Sequence, residues 1–440
     1  MRAPAELAVT IPRRWAWALG IGGALLGGLL LWLVLAAHGA APSVASTVQS
    51  AVAAAERRVM GPVPLRTMSA PTRSVDSGSV RGADEYEVCG GTWVRVNAEG
   101  EPDAADMKRA IRREDVTRAV DDKLAADPRP QARAARLWLQ LLDNEDRQRQ
   151  LRADGASAPT NDSWGATRDS LARLAVTATD PVTYALAFHA CAGRSRDGTC
   201  ALLSAEQWAR LDPGNAAPWL EIFAAAQKRK DTASANEALH RIATSTRSEQ
   251  RLFDLLGLLL GAAPDDDALQ NGVLVLSIEV MGVQSAYSLP GYQPLVAACK
   301  AEMLRDANRR QTCGAIGELL ADKSDTLLER GLGARLGRQL GWPEERIDRM
   351  RAEQQVYGDS MLGGIEPRDT MSCTMTRRLN EQFRRSARLG EVGAMREWLA
   401  RQALAPDELM RRYDASQREL AERAKAFAAA QAASAASTPG

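Results

Sequence analysis

The chain is 440 residues long, 45% hydrophobic and 25% charged, enough for a packed core and two or three domains. Lys and Arg total 56 against 55 Asp and Glu, and a net charge of +1 argues against a nucleic-acid binder with a broad basic face. Only seven of the basic residues are lysine, a bias that a GC-rich bacterial genome accounts for without special arginine chemistry.

The first element in chain order is an apolar run at 15–37, 23 residues without a charge or a proline. At 1.5 Å per residue it is roughly 34 Å of helix, enough to cross a hydrocarbon core of about 30 Å. Trp15, Trp17 and Trp32 sit near its ends, where indole rings favour the headgroup level. Arg2, Arg13 and Arg14 precede it and no Lys or Arg follows through residue 52, so the positive-inside rule puts 1–14 in the cytoplasm and the rest outside. The run exceeds the apolar region of a cleaved signal peptide, and Pro42 directly follows the small residues Gly39, Ala40 and Ala41. An uncleaved anchor is the expectation. Gly23 and Gly27 form a small-x-x-x-small face through which two such helices could self-associate.

Residues 38–82, punctuated by Pro62, Pro64 and Pro71, read as a flexible spacer. The stretch 85–96 alternates apolar and polar residues, as a small hairpin or extended segment does. From there on the chain reads as helices. Asp103 opens one whose Met107, Ile111, Val120 and Leu124 share a face, and Asp127-Pro128 stops it. Leu137, Trp138, Leu141 and Leu142 mark the next, and a polar loop at 154–162 precedes a helix holding Trp164, Leu171 and Leu174. Asp180-Pro181 is a helix start, and Ser204-x-x-Gln207 is spelled as a capping box. Later helices are expected at 253–260, 268–287, 292–304, 310–320, 327–340, from Glu344, and at 378–389, 394–404 and 408–430. The β-branched run Val273, Val275, Ile278, Val280 leaves a strand as the alternative within 268–287.

At 208–243 one helix ends at Leu211, the turn Asp212-Pro213-Gly214-Asn215 follows, Trp219 to Ala226 begins a second helix, and Asp231 caps a third. This segment resembles a tetratricopeptide-type helical hairpin over about one repeat, without a second copy at the family's period. The resemblance implies a helical-hairpin stack. The fold expected is therefore mainly α: a transmembrane helix, then an irregular, α-solenoid-like stack at 83–405 with the extended segment near 85–96, and a terminal helix and tail at 406–440.

Six cysteines, Cys89, Cys191, Cys200, Cys299, Cys313 and Cys373, all follow the span. An even count in an oxidising compartment favours disulfides, and six cysteines allow 15 full pairings. Cys299 and Cys313 each lie seven residues from a predicted turn at Asp306, which an antiparallel helical hairpin would bring side by side. Cys191 and Cys200 bracket a polar loop between helices in the same manner. That pair is similar to the disulfide-linked, Sel1-like cysteine-rich repeats. Cys89 and Cys373 remain, and their bridge would tie the start of the body to its last third.

His189 with Cys191 and Cys200 offers three zinc ligands, but a structural disulfide beside a helix histidine is the reading preferred. His38 and His240 have no Ser, Cys and carboxylate constellation nearby in the sequence. Gly331-x-Gly333-x-x-x-Gly337 departs from a dinucleotide loop and continues a helix, and Gly333, Gly337 and Gly341, recurring every four residues, read as close helix packing. Asp265, Asp266 and Asp267 read as helix-start acids, and Trp138, Trp208, Trp219, Trp342 and Trp398 as core. No cofactor, metal or catalytic residue is assigned. The expected protein is a single-pass bacterial inner-membrane protein whose periplasmic body binds other proteins as a scaffold. The alternative is a periplasmic enzyme whose site is built from distant carboxylates and arginines.

Overall fold

Apolar and polar residues alternate at 85–96, and this stretch folds as an antiparallel hairpin, β1 (Glu85–Val88) against β2 (Thr92–Arg95), with Val88 opposite Thr92. Among the described residues, everything else regular is helical. The computed structural model describes residues 85–97, 102–153, 163–192, 198–287, 292–362 and 371–436. The expected span at 15–37 with Gly23 and Gly27, the spacer at 38–82, His38 and the loop at 154–162 lie outside those residues. Among the described residues no helix is long and apolar enough to cross a membrane.

Asp103 does open a helix, accepting the amides of Ala105 and Asp106. The single helix expected there is two, α1 (Ala104–Ile111) and α2 (Arg113–Ala125), broken at Arg112 with φ +51°. The break leaves α1 on the hairpin, where buried Asp106 accepts from Arg95 Nε at 2.8 Å, and frees α2 to pack on the body. There follow α3 (Pro130–Ala153), α4 (Ser163–Val176) and α5 (Pro181–Cys191), the last capped by Asp180 with proline at its first turn.

The segment 208–243 belongs to α6 (Ala205–Leu211), α7 (Ala217–Arg229) and α8 (Thr232–Thr244), with Asp231 accepting Ser234 N at the start of α8. At Ser204 only half of the capping box forms. Ser204 Oγ accepts Gln207 N at 3.1 Å, but Ser204 N donates to Tyr184 Oη and the Gln207 side chain turns to Arg210.

Helix α9 (Leu252–Ala262) reads LFDLLGLLLGA and is apolar on nearly every face, so it sits in the middle, touching α2, α3, α5 and the later helices at 270–287 and 373–402. Next comes α10 (Gln270–Tyr287). The β-branched run is helix here, because Val273, Leu276 and Val280 recur at helical spacing and are all buried. Then α11 (Tyr292–Ala298) stops six residues short of expectation. A 3-10 turn at Met303–Arg305 follows, and Asp306, expected as a turn centre, caps α12 (Ala307–Asp322) by accepting Arg309 N. Local capping there outweighs the apolar period.

Helices α12 and α13 (Leu327–Leu340) form a tight hairpin, and α8 packs on α12, setting it beside α7–α8. The close packing expected from the glycines holds at two of them. A Cβ on Gly333 would lie 2.4 Å from Ala321 N, and one on Gly337 would enter the Trp342 ring. The chain ends with α14 (Glu344–Leu362), α15 (Cys373–Gln402), which is interrupted at Gly390, and α16 (Pro406–Ala436), whose Leu409 and Tyr413 pack with Ala352, Val356 and Trp398.

Candidate functional site

The six cysteines form three pairs, Cys89–Cys373, Cys191–Cys200 and Cys299–Cys313, with Cα–Cα distances of 4.3, 5.6 and 5.7 Å. Cys191 and Cys200 are bonded to each other, and His189 is engaged by a backbone carbonyl. Its Nε2 lies 2.9 Å from Gln250 O, and burial pushes its pKa down to about 4. Its ring meets Trp208 edge-on at 5.2 Å. Trp138 and Trp208 are core, while Trp219 and Trp342 are half-covered and carry Arg241 and Arg346 over their rings. His240 is exposed. Asp266 caps the 3-10 turn ahead of α10, and Asp265 and Asp267 pair with Arg384 and Arg377.

Among the described residues, buried polar groups also gather along a seam where three interhelix connections and the α15 break lie side by side. Asn215, in the connection between α6 and α7, is fully buried with both donors and both acceptor sites used. Its Oδ1 accepts Ala217 N and Glu249 N, and its Nδ2 donates to Asp212 Oδ2 and Glu249 O. Ala216 N donates to Arg247 O, tying this connection to the α8–α9 loop. Ser248 in that loop donates its N–H to Lys323 O at 3.0 Å, and its carbonyl accepts Asp325 N at 3.1 Å, tying the loop to the α12–α13 connection. Asp325 O in turn accepts Glu391 N at 2.7 Å, beside Gly390. At Gly390 φ is +70° and ψ 171°, a region open essentially to glycine alone, and a Cβ there would sit 2.8 Å from Asp325 O.

Two acids are buried along this seam in different ways. Asp212, 1% exposed at its side chain, meets Arg247 and takes both prongs of Arg251, at 3.0 and 2.9 Å. Burial pushes its pKa up, but Arg251, Asn215 and Arg247 together outweigh that and hold it below the usual carboxylate value. Arg251 sits in the left-handed region at φ +63° while it holds this pair. Glu329 is wholly buried; its Oε1 accepts from the Tyr292 hydroxyl at 2.7 Å and the Ser248 hydroxyl at 2.8 Å, and its Oε2 is buried without a hydrogen-bond partner. Burial pushes its pKa up to about 7, and those hydrogen bonds only moderate the rise. Asp325, whose Oδ1 is buried without a partner, is raised well above its usual value by burial and by Glu329, Glu249 and Glu391. Residue Asp325 as a whole keeps some exposed surface, but the buried oxygen governs its ionisation. Glu391 is raised by burial too, although its Oε2 accepts Leu327 N at 2.9 Å at the start of α13.

A carboxyl tuned near 7 has the proton affinity that general acid–base work needs. Glu329, however, has no exposed surface, and Oε1 already serves two hydroxyls. The arrangement is built to hold connections together. The sequence reading missed Asp212, Asn215, Ser248, Tyr292, Asp325, Glu329 and Glu391 as a group. One signal was present: Thr326-x-x-Glu329 spells a capping box, and Thr326 Oγ1 does accept Glu329 N at 3.1 Å. The Glu329 carboxylate is diverted to Tyr292 and Ser248, as the Gln207 side chain is diverted to Arg210. No known family, characterised protein or solved structure matches the chain.

Proposed function

We propose that this is a membrane-anchored scaffold, held by residues 15–37, whose helical body presents a rigid surface to other proteins on the far side of the membrane. The lacing of successive connections from Asn215 through Ser248 and Asp325 to Glu391 supports this reading most directly. Buried polar groups there are spent on fixing helical hairpins against one another, and a preorganised surface binds with less ordering cost. The tetratricopeptide-like hairpin α7–α8, beside α12–α13, and the three disulfides fit the same role. The raised carboxylates Asp325, Glu329 and Glu391 favour a second reading, an enzyme without local motifs. The engagement of Glu329 by Ser248 and Tyr292 weighs against it.

Two measurements test the proposal. A C-terminal alkaline phosphatase fusion is expected to be active and to stay in the membrane fraction; an inactive fusion or a soluble, shortened product overturns the topology. Photocrosslinking residues placed at exposed body positions in living cells are expected to give discrete protein adducts at neighbouring positions. Silence at every surface position overturns the scaffold.

A further inference from the structure

We infer that one end of the body, formed by the α7–α8 turn and the segment joining α11 to α12, docks on an anionic phospholipid surface, with Met303 entering the headgroup layer. This rests on the reading that residues 15–37 tether the chain to a bilayer. Lys228, Arg229 and Lys230 close α7, and Lys300, Arg305, Arg309 and Arg310 surround the start of α12. Arg309 Nη2 donates to Asn236 Oδ1 at 2.8 Å. Asn236 lies about 8 Å of helix rise beyond Asp231, so the two basic segments share one end of the molecule.

Against these seven cations stand Asp231, Glu302 and Asp306. Asp231 and Asp306 are taken up as helix caps, accepting Ser234 N at 3.1 Å and Arg309 N at 2.7 Å, and Glu302 pairs with Lys300 at 3.5 Å. Arg229 and Arg305 reach Asp231 and Glu302 only through longer-range attraction. Several arginines elsewhere in the body are closely paired, as Arg346 is with Glu318 and Asp322, and Arg113 with Asp143 and Glu279. Three of the chain's seven lysines gather here. A compact ammonium on a flexible stem suits a phosphate headgroup and snorkels along apolar surface.

Met303 stands among them, 41% exposed, in the 3-10 turn between Lys300 and Arg305. An apolar side chain ringed by cations matches the boundary between headgroups and acyl chains, and has no use on a phosphate backbone.

The test uses the full-length protein in vesicles of phosphatidylcholine alone or mixed with phosphatidylglycerol. A donor fluorophore goes on Ala233→Cys and an acceptor on the lipid headgroups. Energy transfer should rise when phosphatidylglycerol is present and collapse at about 0.5 M salt, where the Debye length is only a few Å. Reversing Lys228, Lys230 and Arg305 to Glu should lower the ratio of docked to undocked protein by about fivefold or more per charge. Met303→Ser should lower it further, and Arg133→Glu on α3 should not. Equal transfer in both lipids, or an unchanged triple variant, overturns the inference. So does low transfer combined with crosslinking of this end to an acidic protein. Failure to float with the vesicles instead removes the tether. The same full-length protein must then cosediment with phosphatidylglycerol vesicles, and not with phosphatidylcholine, for the docking face to stand.

Discussion

The two sides of the loop 245–251 treat a buried acid oppositely. On one side Asp212 meets two guanidinium groups, and on the other Glu329 meets two hydroxyls. Burial disfavours the carboxylate in both cases. Cations reverse that penalty at Asp212 and neutral donors do not at Glu329, so one acid stays charged and the other is half protonated near neutrality. Charge compensation and hydrogen bonding are thus separable contributions within a single seam, and each side can be broken on its own.

Asp212→Asn should have the largest effect. It removes the counterion of Arg251, a half-buried cation held in a left-handed conformation, and should cost about 3–5 kcal/mol in urea unfolding. A loss below about 1 kcal/mol would show that Glu249 and Asp254, also near Arg251, suffice.

A clamp outside the seam provides a contrast, because it acts on the unfolded chain. Cys299→Ser with Cys313→Ser opens a link of sequence separation 14 and should cost about 3 kcal/mol on the chain-entropy account, with helix content nearly unchanged by circular dichroism. Non-reducing peptide mapping should recover that pair intact in the parent protein. Six freely alkylated thiols in protein isolated without reductant would sink the disulfide framework.

Gly390→Ala strikes the seam from the Glu391 side. The glycine-only backbone and the approach to Asp325 O should together cost about 2 kcal/mol or more. The loss should fall mainly on α13 and α15, read as faster amide exchange at Leu327 and Val392.

The smallest effect is one of pH. A free glutamate titrates near 4.5 and Glu329 near 7, so between those values the folded protein keeps a proton that the unfolded chain gives up. Stability from this group is fully present below about 4.5 and declines as the pH rises toward 7. His189 runs the other way. Its usual 6.5 falls to about 4, and stability declines as the pH drops through that interval. In Glu329→Gln the acid-side gain should shrink, also because Asp325 loses a neighbouring charge, and the His189 loss should emerge. The melting temperature of the variant should fall relative to the parent on going from pH 7 to pH 5, by on the order of 1 kcal/mol in stability. Parallel pH profiles for the two proteins would remove Glu329 from the account.

Much of the helical body was legible because its signals are local. Asp103, Asp180 and Asp231 cap the helices they precede, α13 runs over 327–340 as the apolar spacing places it, and the cysteine spacing singled out Cys191 with Cys200 and Cys299 with Cys313. Caps, apolar periods and short chain closures involve residues a few positions apart, so their energetics are written in the sequence itself. The tertiary structure alone decided the break at Arg112, the early end of α11, and the diversion of Gln207 and Glu329 from their own helix starts. It also decided which acids are compensated. Asp212 and Arg251 lie 39 positions apart, and Ser248 and Glu329 lie 81 apart. No local pattern encodes such meetings, because the partner of a buried polar group is set by which connections the packed helices bring side by side.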